Sequence, residues 1–63
     1  MAIDCKNYEP KAVVQLLKSN ATFNSYIREG RNWNDTLEFV KVQLIITDEQ
    51  ESEIEKYHKR KNQ

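Results

Sequence analysis

The sequence predicts a compact all-α domain of three or four short helices. One proline and one glycine in 63 residues leave too few turn residues for a loop-rich or all-β fold. Apolar residues recur at the spacing i, i+3, i+4 in two separate stretches, which is typical of helices that bury one face. A chain of this length forms one domain, residues 1–63, and buries only about 60% of the surface that its unfolded form exposes. Residues 1–6 and 60–63 are expected to fray.

The first helix is expected to begin near Pro10, because a proline in the first turn loses no helical hydrogen bond. Asn7 is the candidate cap for this helix. Its apolar face contains Val13, Leu16 and Leu17, which follow the helical spacing.

A second short helix is predicted to follow, with Asn20 as its N-cap. Phe23, Tyr26 and Ile27 repeat the spacing of the first helix and predict the same kind of buried face. Gly30 then lies where a left-handed C-terminal cap is expected.

The segment from Asn34 to Ile46 allows two interpretations. As a helix, it has Asn34 as a cap and Asp35 near the positive end of the helix dipole. As a strand, residues 39–47 alternate with a period of two and are rich in β-branched side chains. A strand would need a partner, which a second copy of the chain could supply in an α+β dimer. The helix is preferred because it needs no such partner.

The strand interpretation has a functional consequence. A strand followed by a capped helix, from Lys41 to Arg60, resembles the first half of a ribbon-helix-helix DNA-binding module. The resemblance implies DNA binding.

The last helix has the clearest start signal. Thr47 and Gln50 form a capping box, in which the threonine oxygen accepts from the third N–H and Gln50 reaches back to the threonine N–H. The first half of this helix is acidic and the second half basic, which complements the helix dipole. Glu55 and Lys59 are spaced for an i,i+4 ion pair. Its predicted apolar face is thin and consists of Ile54 and Tyr57.

Residue types that carry catalysis are scarce. Cys5 and His58 are the only cysteine and histidine, and we expect a partly buried thiol and a solvated imidazole far from each other. One cysteine and one histidine cannot supply four zinc ligands, and one glycine cannot build a glycine-rich phosphate loop. These observations predict a non-enzymatic protein without a cofactor or a metal.

The segment Leu37–Ile46 has more apolar surface than a monomer of this size can easily cover. It predicts a homodimer interface or a docking surface for another protein. The candidate interface residues are Trp33, Leu37, Phe39, Val40, Val42, Leu44 and Ile46. This interpretation favours a small protein-binding module, such as an inhibitor, an adaptor or a small regulatory subunit, that associates with itself.

A basic cluster near the C-terminus supports an alternative, a small regulatory protein that binds DNA or RNA. Its cations could pair with phosphates, and Tyr57 could stack on a base. The candidate residues are Lys56, Tyr57, Lys59, Arg60 and Lys61. The helix dipole explains the same bases, so protein binding is preferred.

The sequence also predicts a cytoplasmic protein without membrane contact. No stretch approaches the ~20 apolar residues of a membrane span. The first residues contain charges and lack the apolar centre of a signal peptide. A single thiol is compatible with a reducing compartment.

Overall fold

The computed structural model describes residues 2–61, and within them it shows four helices and one very short pair of strands. The elements in chain order are β1 (Ile3–Asp4), α1 (Pro10–Lys18), α2 (Ala21–Arg28), α3 (Trp33–Gln43), β2 (Leu44–Ile45) and α4 (Asp48–Lys61). The predicted all-α bundle is confirmed. Helices α1 and α4 form the closest packed pair, and α2 and α3 complete the bundle.

The helix boundaries near α1 and α2 follow the predictions with one exception. Pro10 is the first residue of α1, but the N-cap is Glu9 and its side chain makes no capping hydrogen bond. Asn7 is not the cap, because it lies inside the turn that precedes the helix. The side chain of Asn20 caps α2 by accepting from a backbone N–H at 2.9 Å. Gly30 has a φ of 75°, the left-handed conformation that glycine adopts without Cβ strain.

Helix α3 begins earlier than its predicted cap. The side chain of Asn32 accepts from the Asp35 N–H at 2.9 Å, so Asn32 is the N-cap. The prediction that Asn34 caps the helix is therefore wrong, because Asn34 already lies within the first turn. Asp35 does lie in this first turn, where a carboxylate complements the positive end of the helix dipole.

The ambiguous segment is divided between a helix and a strand. The residues up to Gln43 are helical, and only Leu44–Ile45 is extended. These two residues pair in parallel with Ile3–Asp4 of the same chain. The alternative of a strand over residues 39–47 that pairs in a dimer is therefore wrong, and the implied ribbon-helix-helix strand is absent from this segment. The physical reason is that helical bonds satisfy the backbone up to Gln43 and the N-terminal segment satisfies the remainder.

The N-terminal segment is held in place by the β1–β2 ladder. The Cys5 N–H donates to the Ile45 carbonyl oxygen at 2.9 Å, and the Cys5 side chain is fully buried. Ile3–Asp4 thus lies in the ladder and Cys5 beside it, while the expected fraying of residues 1–6 stays a prediction. Arg60 and Lys61 form the last turn of α4, and residues 62–63 lie outside the described residues.

The side chain of Gln50 connects three parts of the fold. Its Oε1 accepts from the Thr47 N–H at 2.9 Å, and Thr47 Oγ1 accepts from the Gln50 N–H at 3.3 Å, which confirms the capping box. Its Nε2 donates to the carbonyl oxygens of Cys5 at 2.6 Å and Tyr8 at 2.7 Å. The residue is only 1% exposed. One carboxamide therefore caps α4 and also anchors the segment that leads into α1.

More residues of α4 are buried in the core than the thin apolar face in its sequence predicted. Ile54 and Tyr57 are buried together with Gln50 and His58, at the helical spacing i, i+4, i+7, i+8. Because Gln50 and His58 are polar, the spacing of apolar residues in the sequence does not reveal this buried stripe. The buried apolar residues are Cys5, Val13, Val14, Leu17, Phe23, Val40, Leu44, Ile54 and Tyr57.

Replacing Gln50 by alanine should destabilise the domain strongly. Two carbonyl oxygens lose a donor and one N–H loses its acceptor, and a buried polar group without a partner costs about 1–3 kcal/mol. We expect Gln50→Ala to lower the free energy of unfolding by about 3 kcal/mol, measured by urea denaturation with far-ultraviolet circular dichroism. Gln15→Ala is the matched control, because Gln15 is exposed on α1, and it should change the value by less than about 0.5 kcal/mol. Equal transition midpoints for the two variants would contradict the anchoring role.

Candidate binding surfaces

The structure divides the predicted interface residues between the core and the surface. Val40 is fully buried and Leu44 is 6% exposed, so in the folded chain these two side chains belong to the core and are not presented to a partner. Val42 is 68% exposed, because two residues along a helix turn the side chain by about 200° and so place it opposite Val40. The remaining candidates are half-buried: Trp33, Leu37, Phe39 and Ile46.

A surface depression lies between α2 and α3, and we call it the α2–α3 depression. Its lining residues are Tyr26, Arg31, Asp35, Glu38, Phe39 and Val42, and its volume is about 360 Å³. The rings of Tyr26 and Phe39 are in contact, with their centroids 5.1 Å apart at an angle of 42°. The charged residues that surround this aromatic pair are exposed. The depression therefore has an apolar floor and a charged rim.

Arg31 covers one side of this depression. Its guanidinium lies 4.5 Å from the centroid of the Tyr26 ring, a cation–π contact. Its Nε donates to Glu29 Oε1 at 2.8 Å. The hydrogen bond to Glu29 and the charge of that carboxylate raise the pKa of the Arg31 guanidinium, so the rim keeps its positive charge.

His58 is a structural residue, and the prediction of a solvated imidazole is wrong. It is 3% exposed, because it continues the buried stripe of α4. Its Nε2 lies 3.1 Å from the Arg31 carbonyl oxygen and 3.2 Å from Thr36 Oγ1. Since a carbonyl oxygen only accepts, Nε2 carries a hydrogen and donates it. The centroids of the Trp33 and His58 rings lie 5.5 Å apart, so His58 links α4 to the beginning of α3.

Cys5 is also unsuited to nucleophilic chemistry. Burial, and to a smaller extent the Asp4 carboxylate, raise the pKa of the Cys5 thiol. A neutral and enclosed thiol is a poor nucleophile. The backbone of Cys5 contacts Gln50, whereas His58 lies eight residues further along α4, which is about 12 Å along the helix axis. The geometry therefore does not form a Cys–His pair.

The structure also divides the predicted nucleic-acid residues. Tyr57 is 9% exposed and its ring stacks on that of Phe23, with the centroids 6.1 Å apart, so little of the ring is accessible to a base. Lys56 pairs with a glutamate one turn earlier at 3.4 Å. Lys59 pairs with Glu55 at 3.1 Å, which confirms the predicted i,i+4 pair. Arg60 and Lys61 are also exposed, but unlike Lys56 and Lys59 they take part in none of the ion pairs among residues 2–61.

Arg60 and Lys61 lie with two lysines of α1 along a groove between α1 and α4, which we call the basic groove. One part of the groove, about 250 Å³, contains Lys11, Lys18 and Arg60. The other part, about 330 Å³, contains Lys18, Arg60 and Lys61 above the ring of Tyr57. The Nζ atoms of Lys18 and Lys61 lie 5.2 and 5.8 Å from the centroid of that ring.

The two α1 lysines were missed because they are distant in sequence from the C-terminal cluster. The sequence nevertheless contains a signal for them. Lys11 and Lys18 are seven residues apart, so a helix places them on one face, two turns from each other. Only the packing of α1 against α4 shows that this face adjoins Arg60.

Residues 2–61 contain no candidate metal cluster and no candidate membrane-spanning helix. No group of three or more His, Cys, Asp or Glu side chains in this range is arranged to hold a metal ion. None of the helices in the same range has the length and apolar character needed to cross a bilayer.

Comparison of the chain with protein-family models, curated proteins and solved structures finds no match in any of the three. The functional interpretation therefore depends on the geometry of the surfaces.

The raised pKa of the Cys5 thiol predicts a pH dependence of stability. The folded chain favours the neutral thiol, so the unfolded chain releases its proton at a lower pH. The contribution of the neutral Cys5 thiol to stability is complete below the unperturbed thiol pKa of 9.0 and is lost as the pH rises above it, by up to about 1.4 kcal/mol per pH unit. The free energy of unfolding should therefore fall more for the native chain than for Cys5→Ala between about pH 7.5 and about pH 9.5. Urea denaturation at both pH values measures this difference, and an identical fall for both proteins would contradict it.

Proposed function

We propose that this chain is a small non-enzymatic protein-binding module that associates with itself through the α2–α3 depression. The observation that supports this proposal is the position of Val42, which is 68% exposed and lies beside the half-buried rings of Phe39 and Tyr26. Single exposed apolar residues are common on protein surfaces, whereas an apolar patch with a polar rim is typical of a contact surface. A role as an inhibitor, an adaptor or a small regulatory subunit agrees with such a surface.

The chemistry of the depression fits a protein partner. Tyrosine and arginine are the residue types that most often dominate binding energy at protein interfaces. Here Tyr26 comes from α2, Phe39 comes from α3, and Arg31 lies in the link between the helices. Contacts among the three side chains hold them in place, so little conformational entropy is lost on binding.

The rim of the depression favours a second copy of the chain as the partner. In a two-fold symmetric dimer, each copy presents the same patch to the other. The rim contains one base, Arg31, and two acids, Asp35 and Glu38, so Arg31 of one copy can face a carboxylate of the other. An interface of ordinary size covers about 800 Å² per partner, which is about a fifth of the 4440 Å² surface of this chain.

The burial of Cys5 and His58 supports the non-enzymatic part of the proposal. The Cys5 thiol is enclosed and its pKa is raised, so little nucleophilic thiolate forms at neutral pH. The imidazole of His58 uses Nε2 to hold a backbone carbonyl. Neither side chain is placed to act on a bound substrate.

Replacing Val42 by aspartate should weaken self-association. A carboxylate at this position would be desolvated against the aromatic floor of the facing copy, which should weaken the dimer at least about tenfold. Size-exclusion chromatography with light scattering, over a range of micromolar concentrations, measures the change in dissociation constant. Ser52→Asp is the matched control, because Ser52 is exposed on α4 and does not line the depression. A native chain that remains monomeric at all these concentrations would exclude the dimer.

Site-specific photo-crosslinking should identify the partner in cells of the native host. A benzophenone amino acid in place of Val42 should form covalent adducts, whereas the same amino acid in place of Ser52 should form far fewer. An adduct of twice the chain mass supports self-association, and an adduct with a different protein supports an adaptor or inhibitor role. If position 42 gives no more adducts than position 52, the depression is not the contact surface.

A further inference from the structure

We propose that the basic groove between α1 and α4 binds the phosphate backbone of a nucleic acid without reading its bases. The groove shares no lining residue with the α2–α3 depression, so this site is independent of the proposed protein contact. It also differs from the C-terminal cluster predicted from the sequence, because half of its cations come from α1.

The neutral net charge of the chain conceals this site. Lys11, Lys18, Arg60 and Lys61 line the groove together with one carboxylate, Glu53, which gives a local charge of +3. Because the formal net charge is 0, the remainder of the chain carries −3. The charges are therefore segregated, and a positive groove of this kind attracts polyanions.

The four cations of the groove are available to a ligand. The ion pairs among residues 2–61 involve Arg31, Lys56 and Lys59, and none of them includes a cation of the groove. The carboxylate of Glu53 lies 3.4 Å from Lys56 Nζ, so a lysine outside the lining set partly neutralises it. Phosphate oxygens could therefore bind these cations without displacing a carboxylate.

The position of Lys11 is the observation that the helix dipole does not explain. Lys18, Arg60 and Lys61 lie in the last turns of α1 and α4, where cations complement the negative end of the dipole. Lys11 lies in the first turn of α1, at the positive end; the helical residues of this turn include no acid, and the nearest carboxylate in sequence is that of the N-cap residue Glu9. A cation at that position opposes the dipole. A bound anion along the groove would account for it.

The length of the groove fits several phosphates of one strand. Lys11 and Lys18 are seven residues apart, which is about 10 Å along the axis of α1. This length is about three times the axial rise per nucleotide of one strand in B-form DNA, which is enough for neighbouring phosphates to face different cations. Arg60 can also grip one phosphate with two parallel hydrogen bonds.

The groove offers little for base recognition. The only aromatic residue that lines it, Tyr57, is 9% exposed and lies beneath two ammonium groups. Apart from the Tyr57 hydroxyl, Gln15 carries the only uncharged polar group among the lining side chains. Binding should therefore be insensitive to sequence and strongly dependent on salt, because it releases counterions from the phosphates.

Fluorescence anisotropy with labelled single-stranded and duplex DNA of about 20 nucleotides tests the proposal. The native chain should bind at about 50 mM salt and lose at least tenfold in affinity at about 200 mM. Lys18→Gln with Arg60→Gln should bind at least tenfold more weakly at the lower salt, with a salt slope shallower by about 2. Lys11→Gln alone should reduce the slope by about 1.

The matched control is Lys41→Gln with Lys59→Gln, because it makes the same change in net charge at exposed positions outside the groove. It should remain within about twofold of the native affinity. Circular dichroism verifies that both double variants keep their helices. The proposal fails if the native chain does not bind DNA at the lower salt, or if both double variants lose affinity equally. Binding to phosphatidylserine vesicles without binding to DNA would also overturn it.

Discussion

The hydrogen bonds of the Gln50 carboxamide are the interaction on which the remaining structure depends. They connect the start of α4 to the backbone of Cys5 and Tyr8, and the bond to the Cys5 carbonyl is buried, where water cannot replace a lost partner. Because Cys5 is fixed in this way, β1 can pair with β2, and this pairing ends α3. The same anchor sets α1 beside α4. The basic groove, which lies between α1 and α4, therefore depends on one side chain that does not line it.

The parts of the fold that the sequence predicted are those whose causes lie within one turn of the chain. Pro10 and Asn20 begin their helices, and the capping box at Thr47 begins the last, because each acts on its nearest backbone groups. The division of residues 39–47 between helix and strand could not be predicted from such local signals. Its apolar residues satisfy a helical period and a strand period equally well. The deciding factor is Ile3–Asp4, a pairing partner about forty residues earlier, and local rules do not weigh such a partner.

The candidate sites were predicted only in part, because residue type is a weak guide to burial in so small a domain. Gln50 and His58 are polar and buried, since each has its hydrogen bonds supplied by another element. Val42 is apolar and exposed, since the core already holds the opposite face of α3. Lys11 joins Arg60 only through the packing of α1 on α4. Each of these positions is determined by contacts between distant parts of the chain.

The β1–β2 ladder joins the beginning of the sequence to its last third, and this has a consequence for synthesis. Helices α1 to α3 contain 8 to 11 residues, so as isolated segments they form only transiently while a ribosome is still extending the chain. The ladder and the Gln50 anchor must close a loop of about forty residues, so they wait until Gln50 has left the exit tunnel. Until that moment the side chains of Cys5 and of the other core residues remain exposed to solvent. The domain is therefore expected to complete its core in a single late step, once the start of α4 is available to close this loop.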